Sequence, residues 1–189
     1  MGSGKTTVGQ WLARQLAWRF DDLDARIEQS AGIGIPEIFE RLGEPAFREM
    51  EQVELGAALG RAAESQVGVV LALGGGTYAQ PGVVAALRAA AVPVVWIDCP
   101  LPLLLERCAA VTNRPLFRDA ESFEKLLETR LPYYRQADHR VVGDTEPARV
   151  VEQILALPIF ASRLSGIAGE LSLDPSEKIP TAGDAGKRQ

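Results

Sequence analysis

The chain has 189 residues, 47% apolar and 24% charged, with a formal net charge of -5 at pH 7. That is enough chain for one domain with a real core, and the acidic balance gives no reason to expect a nucleic-acid or anionic-membrane partner. His139 is the sole histidine, and Cys99 and Cys108 are the sole cysteines, so histidine triads and His/Cys metal sites have almost no material.

Two cysteines without metal-ligand spacing suit a reducing cytoplasm. No apolar run approaches the ~20 residues of a membrane span, and the polar, glycine-rich start does not read as a signal peptide.

The chain opens with Met1-Gly2-Ser3-Gly4-Lys5-Thr6-Thr7. Gly4-Lys5-Thr6 is the end of a P-loop, G-x-x-x-x-G-K-[ST]. Glycines let backbone N–H groups turn toward phosphate oxygens, the lysine places a point charge on the β- and γ-phosphates, and the threonine hydroxyl ligates Mg²⁺. A helix then starts, with Val8, Trp11, Leu12 and Leu16 as its apolar stripe. The pattern's first glycine would stand ahead of Met1, and so would the strand that delivers such a loop. A flexible leader is the competing reading of Gly-Ser-Gly-Lys-Thr-Thr.

Residues 16–20 read as a short strand running into Asp21-Asp22-Leu23-Asp24. Acidic groups at the carboxyl end of a strand stand where open α/β sheets bind ligands. A helix follows, with Ile27 inward and Gly32 as its stop. Pro36 opens a short helix carrying Ile38, Phe39 and Leu42, closed by Gly43. Pro45 opens a longer one, with Phe47, Met50, Val53 and Leu55 inward and Arg48 and Arg61 along it. Residues 67–73 form a continuous apolar run, the pattern of a buried parallel strand, and lead into Gly74-Gly75-Gly76.

A helix is expected over 81–90, a second buried strand over 92–97 and a helix over 101–109. Residues 111–120, with Thr112, Asn113, Arg114, Pro115 and Arg118, lack periodicity and read as a mobile loop. A helix over 122–136, a strand over 139–142 and a helix from Pro147 complete the pattern. The pattern decays after Leu157, and 172–189 has the composition of a disordered tail. The expected division is a domain over 1–158 and a tail over 159–189. Strands alternating with helices predict an α/β fold, a parallel sheet with helices on both faces.

Four further features bear on chemistry. Asp22 and Asp24 flank Leu23, and on an extended segment their side chains share a face. They suit Mg²⁺ water binding and acceptance of a hydroxyl proton, or else a solvated strand end and a helix N-cap. The triple glycine after a strand offers free N–H donors at close approach, or is a plain turn. Arg48 and Arg130 are forks for a carboxylate, or surface arginines. Arg114 is placed to neutralise phosphate charge from a lid, or is solvated.

In this order, G-S-G-K-T-T, F-D-D-L-D, G-E-P-A-F-R, L-G-G-G, N-R-P-L and T-R-L-P-Y-Y resemble shikimate kinase, across residues 1–157. The resemblance implies a nucleoside-monophosphate-kinase type fold with strand order 2-3-1-4-5, and transfer of the ATP γ-phosphoryl to the 3-hydroxyl of shikimate. It implies that Gly2, Ser3, Gly4, Lys5, Thr6 and Thr7 hold ATP phosphates, that Thr6 holds Mg²⁺ and that Asp22 supports it through water. Asp24 would bind shikimate hydroxyls and deprotonate the attacking one. Arg48 and Arg130 would clamp the carboxylate, with Gly75 and Gly76 backbone on a hydroxyl. Arg114 and Lys5 would stabilise the phosphoryl in flight, and Arg107 and Arg114 are the candidates near the adenine.

The departure from the family pattern is its first strand, the central one of the sheet. An apolar strand and a glycine are expected upstream of Met1; without them the two apolar strands face a gap with unpaired backbone. The rival readings are a gluconate or nucleotide kinase, against which Asp22-x-Asp24, the triple glycine and Arg130 argue, and a non-catalytic sensor of the same fold. The expected protein is a cytoplasmic monomer.

Overall fold

The computed structural model describes residues 2–109 and 119–160. The chain divides into two units, Met1–Leu157 and Pro158–Gln189. Of the second, Pro158–Phe160 forms a 3-10 turn. In the first unit the described elements run α1 Lys5–Gln15, β1 Arg19–Asp22, α2 Leu23–Ala31, α3 Ile35–Arg41, α4 Gly43–Glu64, β2 Val69–Ala72, α5 Val83–Ala89, β3 Val95–Asp98, α6 Leu101–Ala109, α7 Ala120–Tyr134, β4 His139–Val142 and α8 Pro147–Leu155. A 3-10 turn, Thr77–Ala79, follows the triple glycine.

β1 pairs with β2 and β3 with β4, both in parallel. These are strands 2, 3, 4 and 5 of the expected order, taken in pairs, and no ladder joins β2 to β3 among the described residues. Each of those two strands therefore has a single hydrogen-bonded neighbour among the described residues. The apolar runs had predicted fully buried strands. Instead Val69, Val70 and Leu71 and the whole of β3 are half-buried, as expected of strands with an uncovered edge. Both are also shorter than their apolar runs, and Val67 is exposed.

α1 lies against β1, β2 and α8, and α8 in turn lies against β4. The main core joins Leu23 and Ile27 of α2, Ile38 of α3, Phe47 and Leu55 of α4, Tyr78, and Val83 and Leu87 of α5. A smaller cluster joins Cys99, Leu104 and Cys108 to Phe123 of α7. Val53 is a correction: it is 69% exposed. It stands six residues past Phe47, about 120° round the helix from that side chain and farther still from the middle of the buried stripe.

Candidate active site

Gly4 is the N-cap of α1 and sits at φ 81, in the left-handed region. A Cβ there would meet nothing within 4 Å, so the space over the helix start is open. Val8 donates to the Gly4 carbonyl at 2.9 Å. The first-turn N–H groups of Thr6 and Thr7 fall in the part of a helix that lacks intrahelical acceptors, and no acidic residue occupies that turn. This is an anion cradle at the positive end of a helix. Arg107 closes its underside, with Nη1 donating to the Gly2 carbonyl at 3.4 Å and to the Gly143 carbonyl at 3.5 Å. The Cys99 thiol donates to the Gly143 carbonyl at 3.2 Å. Burial pushes that thiol up, only partly offset by Arg107, so Cys99 is a packing group rather than a nucleophile.

Thr6 Oγ1 donates to Asp22 Oδ2 at 2.8 Å. Asp22 Oδ1 accepts from the Asp24 N–H at 3.0 Å and caps α2. The expectation that Asp22 and Asp24 share a strand face is corrected here. The cap turns the chain into α2 at Leu23, so Asp24 lies in the first helical turn. The two functions weighed for Asp22 are compatible, since one oxygen caps the helix and the other meets Thr6. Asp24 is held above the ordinary carboxylate range, first by burial and then by the Asp22 charge, with the Lys5 charge drawing it back.

Beside Asp24 stands a carboxylate that sequence reasoning missed. Glu51 is 1% exposed. It accepts from Arg48 Nη1 at 2.5 Å, from Thr77 Oγ1 at 2.5 Å and from Gln80 Nε2 at 2.6 Å. Its spacing three residues after Arg48 was the available signal. Burial opposes the charge on Arg48, but its hydrogen bonds to Glu51 and Glu44 outweigh it and raise its pKa. Glu51 thus aims the guanidinium across the triple glycine.

A Cβ on Gly76 would lie 2.7 Å from Arg48 Nη1 and 2.9 Å from Arg130 Nη2. Two guanidinium groups from different helices therefore converge on one stretch of glycine backbone. Arg130 is buried and has no acidic partner among the described residues. A buried cation of this kind suits an anionic ligand. Arg114 and the 111–118 part of the predicted loop lie outside the described residues.

A phosphate cradle that opens onto a half-buried carboxylate on one side and an anion receptor on the other is the working arrangement of a P-loop small-molecule phosphotransferase. Comparison with known proteins narrows the class further. The shikimate kinase family model matches residues 1–157. The chain is 38% identical over 157 residues to a shikimate kinase of Sulfurihydrogenibium sp., covering 82% of this chain and 91% of that one. It is 42% identical over 161 residues to one of Pseudomonas syringae pv. tomato, covering 82% and 90%. A solved shikimate kinase of Acinetobacter baumannii, in complex with shikimate, superposes with a TM-score of 0.77 at 36% identity, covering 87% and 90%.

The chain belongs to the shikimate kinase family. Its reaction is the ATP-dependent phosphorylation of shikimate, on the route to aromatic amino acids, and its fold is the α/β P-loop kinase type.

Proposed function

We propose that the phosphoryl group goes to the 3-hydroxyl of shikimate and that the residues divide the work as follows. Gly2, Ser3, Gly4, Lys5, Thr6 and Thr7 bind the ATP phosphates, with Lys5 on the transferring group. Asp24 orients the attacking hydroxyl and takes its proton. Arg48 and Arg130 hold the substrate carboxylate, and Gly75 and Gly76 backbone meets a hydroxyl. Arg114 adds charge to the phosphoryl in transit.

The observation that carries this reading is the position of Asp24. Its carboxylate feels Lys5 of the cradle and Glu51 of the arginine cluster, which supports a place for it between nucleotide and acceptor. Its raised pKa brings it closer to neutral pH, where a general base is most effective.

The Thr6 hydroxyl and the Asp22 carboxylate form an all-oxygen donor pair, the chemistry Mg²⁺ takes. Mg²⁺ held there, with Asp22 acting through water, would neutralise charge on the phosphate oxygens. The remaining work belongs to side chains: Lys5 offsets charge on the phosphoryl oxygens, and Arg48 and Arg130 fix the acceptor so that its hydroxyl faces the cradle.

No helix among the described residues is long and apolar enough to cross a membrane. The net charge of -5 gives no reason to expect a nucleic-acid or anionic-membrane partner, and a cytoplasmic monomer is part of the proposed reading. Phosphorus NMR of the product tests the acceptor: the expected spectrum is that of the 3-phosphate, with gluconate and nucleoside monophosphates unreactive. Turnover of either alternative at a comparable kcat/KM would contradict the reading.

A further inference from the structure

The T-R-L-P-Y-Y segment contains two adjacent tyrosines with different surroundings. Tyr133 is 37% exposed, whereas Tyr134 packs against the main core. Tyr134 stands four residues after Arg130, on the same face of α7. Its hydroxyl donates to the Gly75 carbonyl, and its ring lies against Trp96 of β3, with centroids 6.1 Å apart and planes 39° apart. Burial pushes the Tyr134 hydroxyl above its ordinary value, and the Arg130 charge beside it offsets part of that.

The Gly75 carbonyl and the Gly76 N–H belong to one planar peptide unit. In a trans peptide the two point in opposite directions. The described residues hold no cis peptide bonds. A hydroxyl bonded to the Gly75 oxygen therefore sets the direction of the Gly76 N–H. Among the described residues no backbone acceptor takes that N–H. Gly76 sits where Arg48 and Arg130 converge, so its peptide unit is part of the wall of the same receptor. Three consecutive glycines have little intrinsic preference for one backbone conformation, so the turn depends on outside bonds for its geometry.

We propose that Tyr134 is a positioning residue for shikimate: through the Gly75 carbonyl it orients the Gly76 N–H and locks the glycine turn to the helix that carries Arg130. This rests on the reading that Arg130, Gly75 and Gly76 bind shikimate. Tyr134 touches the receptor's backbone from behind, with its ring held by Trp96 and its hydroxyl between Gly75 and Arg130. One helix face thus supplies both the cation and the brace that aligns its neighbouring donor.

The test uses the full chain and reads binding by calorimetry with shikimate and, separately, with an unreactive ATP analogue. Tyr134→Phe keeps the ring against Trp96 and removes the hydroxyl. Loss of one neutral hydrogen bond corresponds to a weakening of about fivefold. The expected result is that loss for shikimate, with the ATP-analogue affinity unchanged and the melting temperature lowered by no more than the roughly 2–4 °C that one internal hydrogen bond is worth. Unchanged shikimate affinity in Tyr134→Phe overturns the proposal. So does an equal loss for both ligands with a melting temperature lowered beyond that, which marks a structural role. Arg130→Lys separates the two levels. If it weakens shikimate and Tyr134→Phe does not, the proposal fails alone. If neither variant changes shikimate binding, or the unaltered chain does not bind shikimate, the reading beneath it fails as well.

Discussion

Arg48 Nη1 and Glu51 Oε2 lie 2.5 Å apart, three residues apart on α4, with the Glu51 side chain 1% exposed. The same carboxylate also serves Thr77 and Gln80, so it ties the long helix to the turn after β2. Glu51→Ala leaves a hydroxyl, an amide and a guanidinium short of their acceptor. We expect it to lower stability by about 3 kcal/mol and to raise the shikimate KM, read by urea unfolding and by steady-state kinetics.

Asp24 is expected to trade stability for function. Burial, then the Asp22 charge, raise its folded pKa above the ordinary 3.8. The folded chain therefore holds that proton more tightly than the unfolded chain. The stability this contributes is fully present below 3.8 and is lost as pH rises through the raised folded value. Asp24→Asn should melt higher than the parent at neutral pH, and the difference should shrink as pH falls through the raised folded value toward 3.8. Calorimetric melts across that range check the sign.

Gly76 has φ -103, a conformation open to any residue, so Gly76→Ala acts through space rather than backbone strain. Its methyl would press on Arg48 Nη1 and Arg130 Nη2, and both guanidinium groups would have to move. We expect the shikimate KM to rise about tenfold, corresponding to ~1.4 kcal/mol, with the ATP KM nearly unchanged.

Arg107 should show the opposite selectivity. Its hydrogen bonds reach the Gly2 carbonyl in the cradle and the Gly143 carbonyl after β4. Arg107→Met keeps most of the aliphatic stem and removes those bonds. The ATP KM is expected to rise several-fold while shikimate affinity holds, as measured by titrating each substrate against a saturating partner.

The chain order of strands and helices was legible because apolar runs and glycine or proline punctuation carry it. The spans of α6 and β4 matched the readings of 101–109 and 139–142. The cradle was legible because Gly4, Lys5 and Thr6 are demanded by phosphate chemistry at fixed spacing. What escaped depends on pairing in space. Burial of β2 and β3 rests on ladder neighbours, which an apolar run does not reveal. Strand alternation suggested a shared face for Asp22 and Asp24, but a local side-chain cap ended the strand first. Glu51 looks like any glutamate on a charged helix until Thr77 and Gln80 fold over it. Only the register of α7 separates half-buried Tyr134, packed against the core, from exposed Tyr133.

The most direct test of the central claim is shikimate-dependent ADP release, measured on the chain and on Asp24→Asn side by side. Asp24 as the proton acceptor requires turnover in the parent and a loss of at least a hundredfold in kcat in the variant, with ATP-analogue binding retained. A variant that releases ADP at the parent's rate in response to shikimate would contradict the account.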